Sequence, residues 1–290
     1  MTQAIQKKLN DSAFARWTAL ILVALTMFFG YMFVDVLSPL QNMLESTRGW
    51  SPTIFGLYGG SEFILNVCGF LLVAGIILDK MGVRFTGILS ASLMVLGAGI
   101  KFYGLSNYFY EGGFGYEFLS SFLTDIPASA KLACLGFMVF GCGTEMAGVT
   151  VSRAIVKWFT GKELALAMGL EMAIARLGVF AVFSLSPWVA NWGGDPSVAR
   201  PVAVVGLLLC IGLLTYIAFS VMDFKQTEAD TPIGETEEPF KVADLKNLFS
   251  SKTFLIVSAL CVLYYSAIFP FQRFATGMLE SNLGITNQQA

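Results

Sequence analysis

The chain has 290 residues, of which 56% are hydrophobic and only 13% charged, about half the charge of an ordinary soluble domain. Eighteen Lys and Arg against 20 Asp and Glu leave a formal charge of -2, so no positive surface points to nucleic acid. The absence of His excludes an imidazole-based triad or a histidine-held zinc site, and 26 Phe with 29 Gly suit helices packed closely in lipid.

A spanning helix needs roughly 20 apolar residues, and seven segments satisfy this in chain order: Trp17 to Leu40, Pro52 to Leu78, Phe85 to Leu105, Ala130 to Val156, Glu163 to Ala190, Pro201 to Met222 and Thr253 to Phe274. The basic N-terminus, with Lys7, Lys8 and Arg16, precedes an apolar run too long for a cleaved signal, so the first helix is expected to be retained. Alternate short loops carry most of the Lys and Arg: Lys80 and Arg84, then Lys157 and Lys162, then Lys225, Lys241, Lys246 and Lys252. The positive-inside rule then places the N-terminus in the cytoplasm. Trp17, Trp50, Trp158, Trp188 and Trp192 fall near span ends and are expected to anchor both interfaces.

These spans divide the chain into a six-helix bundle over 1–222, a polar cytoplasmic linker over 223–251 with a short surface helix near Val242 to Phe249, and a seventh helix with a polar tail over 252–290. The expected class is all-α, a polytopic membrane protein. A lone seventh span after a central linker resembles the opening of a second bundle, so a chain of about twelve spans, truncated here, is expected. A complete seven-helix protein is the alternative.

Ionisable groups at membrane depth cost roughly 2.5–3.5 kcal/mol each near the centre, so they need a partner or an aqueous cavity. Glu145 and Arg176 lie on consecutive antiparallel spans, about 11 and 13 residues from the same membrane face. That places both near the midplane. They either line one cavity with a negative and a positive wall or neutralise each other as a structural salt bridge. Asp35 and Glu62 lie nearer the outer face and are candidates for proton coupling or for structural hydrogen bonds, while Tyr31, Tyr58 and Tyr265 could line a solute path. Glu171 is assigned to packing or gating, and Arg153 to snorkelling or contact with acidic loop groups.

Between the second and third spans the chain reads Gly75-Ile76-Ile77-Leu78-Asp79-Lys80-Met81-Gly82-Val83-Arg84. Gly75 would permit close helix approach, Gly82 a reversal, and Asp79, Lys80 and Arg84 contacts with neighbouring helix ends. The string resembles the signature cytoplasmic loop of the major facilitator superfamily, which implies a gate contact carried by Asp79 and Arg84. Phe140-Gly141-Cys142-Gly143-Thr144-Glu145, Trp158-Phe159-Thr160-Gly161-Lys162-Glu163-Leu164, Met172-Ala173-Ile174-Ala175-Arg176-Leu177-Gly178, and the later Tyr264-Tyr265 with Phe269-Pro270-Phe271 are similar to the branch that includes the lysosomal dipeptide uniporter and its bacterial relatives. The resemblance implies a major facilitator-type bundle whose acid and arginine, matching Glu145 and Arg176, hold the amino group and carboxylate of a short peptide. Glu62 departs from that branch and puts uniport in question.

The resulting expectation is secondary or facilitative transport of a small zwitterionic or anionic solute, preferably a short peptide, by alternating access. No chemical step, cofactor or metal is expected. The lipid bilayer, with a bacterial cytoplasmic membrane as the setting, and a missing C-terminal bundle of the same chain are the expected surroundings. Export of a metabolite or drug-like anion anchored on Arg176 is one alternative. A non-transporting seven-helix sensor or scaffold is another, of a different class.

Overall fold

The computed structural model describes residues 9–229 and 249–284. The described residues form helices and turns with no strand, and the chain divides into two units, Met1–Pro232 and Ile233–Ala290. In the first unit a short 3-10 turn, Leu9–Asp11, precedes α1 (Ala13–Val34), α2 (Gln41–Arg48), α3 (Pro52–Leu65), α4 (Leu71–Leu105), the short α5 (Asn107–Tyr110) and α6 (Tyr116–Ser120), α7 (Ala128–Phe159), α8 (Leu164–Ala190) and α9 (Ala199–Ala229). The second unit contributes α10 (Lys252–Leu283). The surface helix expected near Val242 lies outside the described residues.

Six helical stretches are long and apolar enough to cross a membrane, and one of them, Pro52–Leu105, runs 54 residues. At 1.5 Å per residue that stretch would measure about 80 Å, far beyond the hydrocarbon thickness. It does not run straight: Gly82 stands at φ 74° and ψ 173°, a conformation essentially confined to glycine. The chain folds back there, since the Lys101 ammonium lies 5.0 Å from the Tyr58 ring, whereas a straight helix would hold these residues about 65 Å apart. The second and third expected spans are therefore both present, and with them all seven. A π-helical turn, Asn66–Phe70, joins α3 to α4, and Asn66 Nδ2 donates to both Glu62 O (3.3 Å) and Gly141 O (3.2 Å).

Several boundaries move. The first helix stops at Val34, where Asp35 caps it and the Ser38 hydroxyl donates to Asp35 Oδ1 at 2.9 Å. α9 continues to Ala229 rather than ending at Met222, and α10 to Leu283 rather than Phe274. Asp223, expected to open the polar linker, is instead wholly buried in the bundle, because three neighbours supply donors for its carboxylate.

The core of the first unit is built by α4, α7 and α3 on one side and α1, α8 and α9 on the other. Large apolar side chains on its outer faces, such as Leu57, Leu96, Phe180, Leu207 and Leu214, remain more than half exposed, as expected of a surface whose solvent is lipid. Trp188 and Trp192 are exposed and stack at 5.6 Å, in keeping with interfacial anchors. Trp50 and Trp158 are not anchors: both are buried, with the indole N–H of Trp50 donating to Ser129 and that of Trp158 to Asp223. A buried indole needs such an acceptor.

Candidate functional site

Close approaches between helices fix the register of the central charges. Gly178 of α8 lies so near α1 that an added Cβ would come within 2.3 Å of Phe28 O and 3.3 Å of Met32 Cγ, and Arg176 sits two residues below it. On the other flank of α1 the Phe33 and Phe140 rings meet at 4.7 Å, and Glu145 lies five residues further along the antiparallel α7. Counting down from both contacts puts Glu145 and Arg176 level with about residue 28 of α1. They occupy one layer of the bundle, on helices that both pack against α1.

Within that layer the two groups are not locked together. No ion pair or hydrogen bond joins Glu145 to Arg176 among the described residues. The carboxylate of Glu145 is half-buried and Arg176 is exposed within this unit. The Arg176 guanidinium lies 5.2 Å over the Tyr31 ring, a cation–π contact that leaves its N–H donors available to a carboxylate. The salt-bridge alternative is thus not the arrangement adopted.

The other expected residues of the first unit lie outside this layer. Asp35 is buried in the turn that Ser38 closes. Glu62 is 2% exposed and sits against α7, where a Cβ on Gly141 would come within 2.1 Å of Glu62 O. Tyr58 does not line a path: it is wholly buried, stacked on Phe137 at 4.7 Å and beside Trp50 at 5.5 Å. Of the two first-unit tyrosines expected on a path, Tyr31 is the one at the candidate site. Tyr265 belongs to α10 of the second unit, where it stacks on Phe269 at 5.0 Å.

At the Gly82 end the loop charges pair as two sets. Asp79 is in an ion pair with Arg153 of α7, so Arg153 finds the acidic loop partner anticipated for it. Arg84 approaches Asp223 of α9 at 3.7 Å, and the same carboxylate accepts from Lys157 at 2.8 Å and Trp158 at 3.0 Å. Lys80 is exposed. Gly75 does not mediate a close approach, for nothing lies within 4 Å of where its Cβ would be. Close packing comes instead from Gly141 and Gly178. A second cluster nearby ties Arg16 to Glu163 at 3.2 Å and Lys162 to Asp11 at 3.1 Å.

Two residues were missed. Lys101 lies four residues before the expected end of its span and so resembles a snorkelling interfacial lysine, yet it is wholly buried. Asp223 was hidden by its place at the edge of a polar run.

A membrane-spanning helical bundle with a Gly82 reversal and paired loop charges is the architecture expected of the facilitator class. The Major Facilitator Superfamily matches residues 20–286, and the chain belongs to that family. Among curated proteins it is similar to the "Lysosomal dipeptide transporter MFSD1" of Gallus gallus, 34% identical over 47% of this chain and 32% of that protein. The same-named proteins of Bos taurus, 32% identical over 54% of this chain and 35% of that protein, and Pongo abelii, 26% identical over 95% of this chain and 56% of that protein, are similar too. The chain spans about half the length of the last of these and less of the others. No solved structure matches it.

Proposed function

We propose that the gene product containing this chain carries a short peptide, or another small zwitterion, across a membrane by alternating access, with no chemical step. Glu145 receives the substrate ammonium and Arg176 its carboxylate. The observation carrying this reading is that an acid and an arginine occupy one layer of the bundle without neutralising each other, the arginine in cation–π contact with Tyr31. Each contact would be a charge-assisted hydrogen bond, the bidentate arginine fork giving orientation as well as affinity. The relatives named dipeptide transporters support the peptide over other zwitterions.

In this proposal the N-terminus faces the cytoplasm, so Asp79–Arg153 and Arg84–Asp223 brace the inner end of the bundle and open when the solute is released inward. The remaining cavity wall comes from a C-terminal bundle. Residence in a bacterial cytoplasmic membrane belongs to the same proposal, and fractionation of the source cells tests it. Proton coupling is not part of this proposal: the Asp35 carboxylate accepts from Ser38, and the buried Glu62 backs onto Gly141, one turn from Glu145 on α7.

Uptake of labelled dipeptide by the complete gene product in proteoliposomes is the test. Glu145→Gln and Arg176→Gln are each expected to insert normally and to lower uptake about 10–100-fold, the worth of one charge-assisted contact. Uptake indifferent to both changes rejects the clamp. Loss with Arg176→Gln alone, and transport of a monovalent organic anion, favours the anion exporter. Folded protein with no flux of any solute favours the sensor or scaffold.

A further inference from the structure

Lys101 is wholly buried, and its ammonium is surrounded by aromatic faces from three other helices. It lies 4.3 Å from the Phe33 ring of α1, 4.5 Å from Phe137 of α7 and 5.0 Å from Tyr58 of α3. All three distances fall within the reach of a cation–π attraction, which is strongest where the cation is removed from water. We infer that Lys101 is a positioning residue: its ammonium in the Phe33, Tyr58 and Phe137 cage fixes the upper end of α1, and thereby keeps Tyr31 beneath Arg176.

The path from cage to site is short. Phe33 is wholly buried between Lys101 and Phe140, and α1 ends one residue later at Val34. Below it, Tyr31 is two residues away on the same turn and carries the Arg176 guanidinium on its face. The attraction to Lys101 therefore acts on the last turn of α1, the turn that presents the shelf. The opposite flank of the cage is rigid, since Tyr58 and Phe137 stack at 4.7 Å with their planes 13° apart. The partner of Lys101 on the other flank is α1, whose last turn carries both Phe33 in the cage and the Tyr31 ring under Arg176. This deepens the proposed clamp and rests on it only for the consequence in transport.

The charge is separable from the packing. Lys101→Met retains nearly the same shape without the cation, and replacing Phe33 by its 4-fluoro and 3,4,5-trifluoro analogues drains the ring face while keeping its size. In the complete protein the midpoint of thermal unfolding is expected to fall stepwise along the fluorine series, by about 2–4 °C at its end. Labelling of Arg176 by an arginine-specific dicarbonyl, read by mass spectrometry, is expected to quicken about threefold or more in Lys101→Met and in the trifluoro variant. This readout does not depend on any transported solute, so the cage can fail while the clamp stands, and the clamp while the cage stands. If both stand, the KM for a dipeptide rises more than kcat falls. A flat thermal series, or Arg176 labelling unchanged while unfolding shifts, overturns the inference. If Lys101→Met does not insert, the fluorinated variants decide alone.

Discussion

Replacing Asp223 by Ala removes the acceptor on which three donors converge at the Gly82 end. The carboxylate is 1% exposed, while Lys157 and Arg84 are about one third exposed at 34% and 37%. Their charges can turn to water when the carboxylate goes, so little of the cost lies with them. Trp158 cannot turn: its indole is buried at 1% exposure and its N–H, 3.0 Å from Asp223 Oδ1, is left without an acceptor. An unsatisfied buried donor costs about 1–3 kcal/mol, and the lost charged hydrogen bond adds about 1 more after discounting for exposure. The sum is about 2–4 kcal/mol, or about 5–15 °C in the unfolding midpoint of a bundle this size. Asp223→Asn keeps a carbonyl for Trp158 and is expected to lose about half as much. Thermal unfolding in detergent of wild type, both variants, Trp158→Phe and the double change gives the coupling, expected above about 1 kcal/mol. Asp223→Ala within a degree of wild type, or strictly additive effects with Trp158→Phe, would refute the reasoning.

Three further outcomes follow from the same geometry. Gly141→Ala places a methyl within 2.1 Å of Glu62 O and must push α3 from α7, so it is expected to cost about 2–4 kcal/mol. Gly75→Ala, with open space at that point, should be neutral to slightly stabilising in the same unfolding assay. Glu163, expected to open its span, stands instead just before α8 and outside the spans, with its carboxyl held below 4.5 by its own backbone N–H, then by Arg16. A depressed carboxylate stabilises the fold above its unfolded pKa and loses that effect as pH falls through the folded value. Wild type should therefore exceed Glu163→Gln in unfolding midpoint at pH 7, with the gap closing below pH 4.5; a gap independent of pH contradicts the assignment.

The spans were legible because continuous apolar runs report membrane burial directly, and Gly82 because its neighbours on both sides leave no other residue able to reverse the chain. The layer shared by Glu145 and Arg176 could be anticipated from counting residues, since depth in a helix is linear in sequence. Direction around the helix axis was less accessible. Tyr58 and Tyr31 look alike in the sequence, yet one faces Phe137 in the core and the other faces Arg176. Trp158 and Asp223 illustrate the same limit: two residues expected at the interface satisfy each other inside the bundle. Lys101 was invisible because its partners come from three other helices and share no local pattern with it.

The central claim is that Arg176 holds the substrate carboxylate and Glu145 its amino group. It is tested most directly by measuring binding of a dipeptide, its carboxyl amide and its N-acetyl form to the complete protein and to Arg176→Gln and Glu145→Gln. The account predicts that the amide binds wild type and Arg176→Gln equally, that the N-acetyl form does so for wild type and Glu145→Gln, and that the free peptide loses about tenfold or more in each variant. Equal losses for free and capped peptides in both variants would contradict it.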